Sequence, residues 1–121
     1  MLTTGIDLVR IDRVKKAMAN PRFLTRVFSV AERSLFEERG FRAETVAANF
    51  AAKEAFSKAL GTGVRGFALS EVSVLRDSLG RPYFCLEGRA KKLAEQAGLS
   101  FTLSLSHTDD TAAAFVLGYS P

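Results

Sequence analysis

The chain has 121 residues, a net charge of +4, 47% hydrophobic and 25% charged residues, a balance that predicts one globular domain over residues 1–121 with a modest core. A single cysteine, Cys85, and a single histidine, His107, exclude an internal disulfide and a His/Cys zinc site, so any metal would take oxygen ligands, as magnesium, calcium or manganese do. No stretch has membrane-spanning length and apolarity and no signal-peptide pattern opens the chain, so a reducing cytoplasm is the expected setting.

The charge is unevenly spread. Between Leu8 and Arg26 lie six basic residues, Arg10, Arg13, Lys15, Lys16, Arg22 and Arg26, against one acid, Asp12. A local basic patch suits an acidic partner, either nucleic acid or an acidic protein, or is a solvated face with no partner.

In chain order, Leu2–Ile11 is predicted to be a strand, rich in β-branched and apolar residues. Asp7 interrupts it and points away from Ile6 and Leu8. It sits either on the exposed face of an edge strand or in a metal site. Asp12 is predicted to cap a helix starting at Arg13 and running towards Asn20. Pro21 interrupts, and Arg22–Phe28 gives a short helical turn. Ser29 and Glu32 have capping-box spacing for a helix that runs to about Arg39 and ends at Gly40.

A long helix is predicted from near Arg42 to Leu60. Ten of the fifteen residues from Val46 to Leu60 are apolar, so most of it should be buried. At about 100° per residue, Asn49, Lys53, Glu54, Ser57 and Lys58 fall within one half of the cylinder. The other half is mostly alanine: Ala48, Ala51, Ala52, Ala55 and Ala59, small side chains that let another backbone approach closely. Glu54 and Lys58 read either as a surface i,i+4 pair worth about 0.3 kcal/mol or as part of a charged cavity. In the second reading Lys53, Glu54 and Lys58 share one cavity, where a carboxylate holds magnesium and ammoniums meet phosphate oxygens. Asp7 is then the second oxygen ligand. Gly61-Thr62-Gly63-Val64-Arg65-Gly66 ends the helix and is either a cap and turn or a place where backbone amides approach phosphate; no Gly-Lys-Ser/Thr follows, so it is not a Walker A loop.

Glu71–Arg76 and Arg81–Leu86 flank the turn at Asp77-Ser78-Leu79-Gly80 as a hairpin. Gly88–Ala97 is an amphipathic helix with Leu93 and Ala97 expected inward, closed by Gly98. Phe101, Leu103, Leu105 and His107 share one face of a strand that turns at Thr108-Asp109-Asp110 into the largely buried strand Thr111–Tyr119. His107, at a strand end beside the loop, is either a structural residue or a phosphate or nucleotide contact. The order β-ααα-ββ-α-ββ predicts an α+β fold.

Three stretches together resemble one family: Gly5-Ile6-Asp7-Leu8-Val9; Phe50-Ala51-Ala52-Lys53-Glu54-Ala55 through Lys58 and Gly61-Thr62-Gly63; and Leu103-Ser104-Leu105-Ser106-His107-Thr108. They are similar to the small bacterial 4′-phosphopantetheinyl transferases, the holo-(acyl-carrier-protein) synthases, and the resemblance covers essentially the whole chain, including Gly80-Arg81-Pro82-Tyr83. It implies an antiparallel sheet packed with the long central helix. It implies transfer of phosphopantetheine from coenzyme A to a serine of apo acyl carrier protein, with release of adenosine 3′,5′-bisphosphate, in support of fatty acid biosynthesis. Asp7 and Glu54 would hold magnesium. Lys53, Ser57, Lys58, Gly61, Gly63, Pro82 and His107 would contact coenzyme A, with Glu54 and Lys58 catalytic. Arg13, Lys16, Arg22 and Arg26 would dock the acidic carrier protein. The family also implies a homotrimer with active sites between subunits, and no nucleic-acid or membrane partner.

One departure stands out. Family members often carry an arginine where Asn49 stands; if that arginine holds the 3′-phosphate, this chain needs a substitute, for which Arg42 and His107 are candidates. The proton acceptor for the attacking serine is open between Glu54, a water on the metal and a carboxylate of the carrier protein. Two rival readings use the same features: a nucleic-acid module built on the basic patch, which lacks a recognisable motif and any Trp, and a magnesium-dependent phosphohydrolase built on Asp7 and Glu54.

Overall fold

The computed structural model describes residues 1–121. It contains strands β1 (Leu2–Arg10), β2 (Val72–Arg76), β3 (Pro82–Leu86), β4 (Ser100–His107) and β5 (Thr111–Tyr119), and helices α1 (Ile11–Ala17), α2 (Pro21–Val27), α3 (Val30–Glu38), α4 (Ala43–Leu60) and α5 (Gly88–Ala97). The fold is α+β. One sheet has the order β1-β5-β4, and β2 pairs with β3 in a separate hairpin; every pairing is antiparallel.

Helix α4 organises the packing because its alanines leave room for a backbone. Ala51, Ala52, Ala55 and Ala59 are buried against Leu103, Ala114 and Val116 of the large sheet. On β1 the inward position opposite Ala55 is Gly5, and a Cβ there would collide with the Ala55 carbonyl oxygen. This close approach brings the neighbouring inward residue of β1, Asp7, to the helix surface; Asp7 pairs with Ala114 in the sheet register. Alternation then sends Ile6 and Leu8 outward, where they are 60% and 67% exposed.

Aromatic rings lock the remaining elements to α4. Phe56 meets Phe67, Phe84 and Phe101 with centroids 4.8 to 5.8 Å apart, joining α4, the β2–β3 hairpin and β4. Phe28 packs edge-on against Phe36 at 5.0 Å, and both are fully buried. Each such ring contributes about 1.5–3 kcal/mol by burial.

Three local expectations change. The segment after Pro21 is a full helical element, capped by the Asn20 side chain accepting from the Arg22 amide at 3.0 Å, so four helices rather than three precede the hairpin. Asp12 does not cap α1. The strand passes directly into the helix at Ile11, whose amide donates to the Asp110 carbonyl at 2.9 Å, and Asp12 lies in the first turn, paired with Arg10 at 3.3 Å. In α5 it is Ala90 and Ala94 that are buried, with Leu93 half-buried; Ala97 is exposed. The Ser29–Glu32 capping box is present as expected, and Gly61 ends α4 with φ +91°, the left-handed conformation that glycine adopts without strain.

Candidate active site

Asp7 and Glu54, remote in sequence, line one cavity of about 440 Å³ with Arg10, Arg13, Phe23 and Phe50. The Lys58 ammonium donates to the Ile6 carbonyl at 2.8 Å and lies 3.4 Å from an Asp7 carboxylate oxygen. The Asp7 side chain is 19% exposed and that of Lys58 54%. Burial raises the affinity of Glu54 for its proton, the Asp7 charge raises it further, and Lys58 opposes both. Two carboxylates that repel each other in a half-buried cavity favour a cation between them.

The donor set fits magnesium. No group of three or more His, Cys, Asp or Glu side chains is present that could hold a metal, so the protein offers two carboxylates only. Magnesium is usually held in this way, by one or two carboxylates with the other positions left to water and ligand phosphates.

Lys53 does not join this cavity, contrary to the sequence-based expectation. It is fully buried and donates to Glu32 at 2.6 Å, to the Val72 carbonyl at 2.6 Å and to the Leu69 carbonyl at 2.9 Å. All three ammonium hydrogens are used. Its Nζ also lies 5.2 Å from the centroid of Phe28. Successive residues on a helix diverge by about 100°, enough to send Lys53 towards α3 and β2 while Glu54 faces β1. Burial pulls the Lys53 ammonium below its ordinary range, and Glu32 opposes that shift. Ser57 is also buried, and its hydroxyl donates to the Glu54 carbonyl at 2.6 Å.

The other expected contacts fall elsewhere. Gly61 and Gly63 lie in the exposed turn after α4, both with positive φ. Pro82 and His107 line a second cavity, of about 290 Å³, with Arg39, Arg42, Glu44 and Arg76. The two cavities share no residue. Arg13, Lys16, Arg22 and Arg26 are all exposed, on α1 and α2.

A buried polar network was not legible from the sequence. Glu32, read there only as a cap, accepts from the Ser29 and Val74 amides, from Lys53 and from the Asn49 amide. The Asn49 carbonyl oxygen in turn accepts from Arg76 at 2.8 Å. The one available signal was that Asn49 lies a turn before Lys53 on the same line of the helix; nothing in the sequence marked Glu32 or Arg76 as their partners.

Comparison with known proteins identifies the family and the fold. A family model described as "4'-phosphopantetheinyl transferase superfamily" matches residues 3–116. The chain belongs to that superfamily and is a phosphopantetheinyl transferase. Its relatives within it are holo-[acyl-carrier-protein] synthases. That of Clostridium botulinum (strain Eklund 17B / Type B) is 44% identical over 114 residues, covering 93% of each chain. A crystal structure of the Neisseria meningitidis enzyme superposes with a TM-score of 0.90 at 34% identity over 97% of each chain. A Chronobacterium ammoniagenes complex of the synthase with coenzyme A superposes with a TM-score of 0.86 at 34% identity, covering 100% of this chain and 98% of the other.

Proposed function

We propose that this protein transfers the 4′-phosphopantetheine group of coenzyme A to a serine of apo acyl carrier protein, with magnesium held by Asp7 and Glu54, and that the reaction supports fatty acid biosynthesis. The observation that carries the reading is the meeting of Asp7, Glu54 and Lys58 at one helix–strand contact, made possible by Gly5. When bound, magnesium supplies positive charge to the pyrophosphate oxygens, where charge builds as the bond breaks.

The chain's own residues do the rest. The serine hydroxyl gives its proton to a carboxylate, that of Glu54 or one of the carrier protein, as its oxygen forms a bond to the β-phosphorus, and the bond from that phosphorus to the bridging oxygen breaks. Adenosine 3′,5′-bisphosphate leaves with the electron pair. Lys58, anchored by the Ile6 carbonyl and half-exposed, is placed to neutralise oxygens of the transferring group. Gly61 and Gly63 carry no side chain, so the backbone of the turn beyond α4 can approach the donor at those two positions. Ser57 acts on the donor indirectly, through the α4 backbone that its hydroxyl engages. Lys53 acts in the same indirect way, by fixing the register of α4. Arg13 borders the cavity, and with Lys16, Arg22 and Arg26 it forms the dock for an acidic carrier protein.

The site is completed by a second copy. Pro82 and His107 line a cavity separate from that of Asp7 and Glu54, an arrangement that suits a donor held between two subunits. Ile6, Leu8 and Phe115 form an exposed apolar patch on the outer face of the sheet, with Ile6 and Phe115 paired across strands. A patch of this kind supports subunit association, and a homotrimer is the assembly we propose. The exposed free thiol of Cys85 fits a reducing cytoplasm.

The deciding experiment incubates the protein with apo acyl carrier protein, coenzyme A and magnesium and follows the carrier by mass spectrometry. The expected result is a mass increase of one phosphopantetheine on the carrier; an unchanged carrier mass at enzyme-equivalent concentrations overturns the reading. Light scattering should give a mass three times that of the chain, and a fully active monomer would remove the shared site.

A further inference from the structure

We infer that Arg76, held in place by the Asn49 amide, selects donors that carry a terminal phosphomonoester, which for the proposed reaction is the 3′-phosphate of coenzyme A. This rests on the donor being coenzyme A. The second cavity gathers three guanidiniums, Arg39, Arg42 and Arg76, with His107. Its one carboxylate, Glu44, is already engaged by Arg42 at 3.6 Å. A concave site with this excess of positive charge suits a compact dianion, and guanidiniums bind phosphate through paired N–H donors.

Arg76 differs from the other two arginines because its position is imposed from the interior. The Asn49 side-chain nitrogen donates to Glu32 at 3.0 Å and to the Val74 carbonyl at 2.9 Å. Both partners are acceptors, so the amide can lie only one way round, with its oxygen turned towards Arg76. Glu32 is itself fixed by Lys53 and by two backbone amides. One guanidinium nitrogen of Arg76 is thus tethered to the core at 2.8 Å, and the side chain reaches the cavity already ordered. Less rotamer freedom is then lost on binding than for a free surface arginine. Burial and the neighbouring Arg39 charge both disfavour the Arg76 cation, with Glu32 opposing them. An incoming dianion relieves that condition. Asn49 is a positioning residue, and Arg76 makes the contact.

The test compares coenzyme A with 3′-dephospho-coenzyme A as donors for one carrier protein. The readout is the ratio of the two kcat/KM values measured on the same preparation, which does not depend on how much of a variant is folded. The wild type should prefer coenzyme A. R76Q should lower that preference by about 10- to 100-fold, the size of a lost charge-assisted contact, chiefly through KM for the donor. R76K should fall between, and N49L should shift the ratio in the same direction by less. A ratio within twofold of wild type in both Arg76 variants overturns the inference. So does an equal loss with both donors through KM for carrier protein, which would make Arg76 a carrier contact instead.

Calorimetry with adenosine 3′,5′-bisphosphate and adenosine 5′-phosphate separates this inference from the proposed reaction. Tighter binding of the bisphosphate, lost in R76Q, supports the inference even if no carrier is modified. Equal binding of the two nucleotides by wild type overturns it even if transfer occurs.

Discussion

Lys53 and Glu54 are neighbours on one helix and have opposite fates. Lys53 is buried with every donor satisfied and a carboxylate at 2.6 Å. Glu54 is only partly buried and faces a second carboxylate across a cavity, with its proton held more tightly than usual. The first arrangement is complete within the chain and fixes α4 between α3 and β2. The second is left with charge that the chain does not neutralise. The difference teaches that binding chemistry is found where a charge is left open, and that a lysine beside it in sequence can belong entirely to the scaffold.

The largest expected effect comes from breaking the satisfied side. K53M leaves Glu32 buried without its cation and should cost about 3–5 kcal/mol of stability, read by denaturant unfolding. E32Q/K53M removes the unpaired charge but sets an amide NH2 against N–H donors of Ser29, or of Val74 and Asn49, so it should recover only part of that loss. A K53M cost below about 1 kcal/mol would mean that the pair is not a structural clamp.

Breaking the open side should spare the fold. E54Q and D7N should each lower transfer about 100- to 1,000-fold, several kcal/mol of lost transition-state stabilisation, with unfolding midpoints at or above wild type. The pH dependence sharpens the contrast. Because the folded state raises the Glu54 proton affinity, its stabilising contribution is full at low pH, below the unfolded value. That contribution is lost as pH rises through the raised folded value. Magnesium should therefore raise the wild-type thermal midpoint at about pH 8 and leave it unchanged at about pH 4. E54Q should show no response at either pH. A magnesium shift that persists in E54Q would place the ion elsewhere.

G5A tests the contact that joins the two sides. Its methyl group has no space beside the Ala55 carbonyl, so β1 must move from α4 at a cost of about 1–3 kcal/mol. Transfer should fall more than stability does, because Asp7 moves with the strand. Equal loss of transfer and of folded protein would remove that argument. The smallest effect is expected at the rim, where R13E should raise KM for carrier protein about three- to tenfold and leave KM for coenzyme A unchanged. An unchanged KM for carrier protein would remove Arg13 from the dock.

Much of this was legible in the sequence where periodicity or a breaker controls structure. The long helix, its glycine end, the hairpin at Asp77–Gly80 and the Ser29 cap follow from local chemistry. The close helix–strand contact was foreshadowed by the alanine face. What escaped were facts that depend on which neighbour a side chain meets. The five polar residues of α4 fall in one half of the cylinder, yet that half faces two partners. Asn49 and Lys53 meet Glu32, whereas Glu54 and Lys58 meet β1. Helical spacing gives the direction of a side chain and not what stands opposite it. The capping role of Glu32 likewise concealed its long-range one, since a single carboxylate serves both.

The alternation along β1 has a consequence for how this enzyme can change over time. Gly5 and Asp7 face the helix while Ile6 and Leu8 face outward. Gaining or losing a single residue inside this strand would turn the carboxylate to the outside and drive isoleucine and leucine into the helix contact. Point substitutions at the outward positions can be absorbed one at a time; insertions and deletions cannot, so the strand's length should be among the slowest features of the molecule to drift.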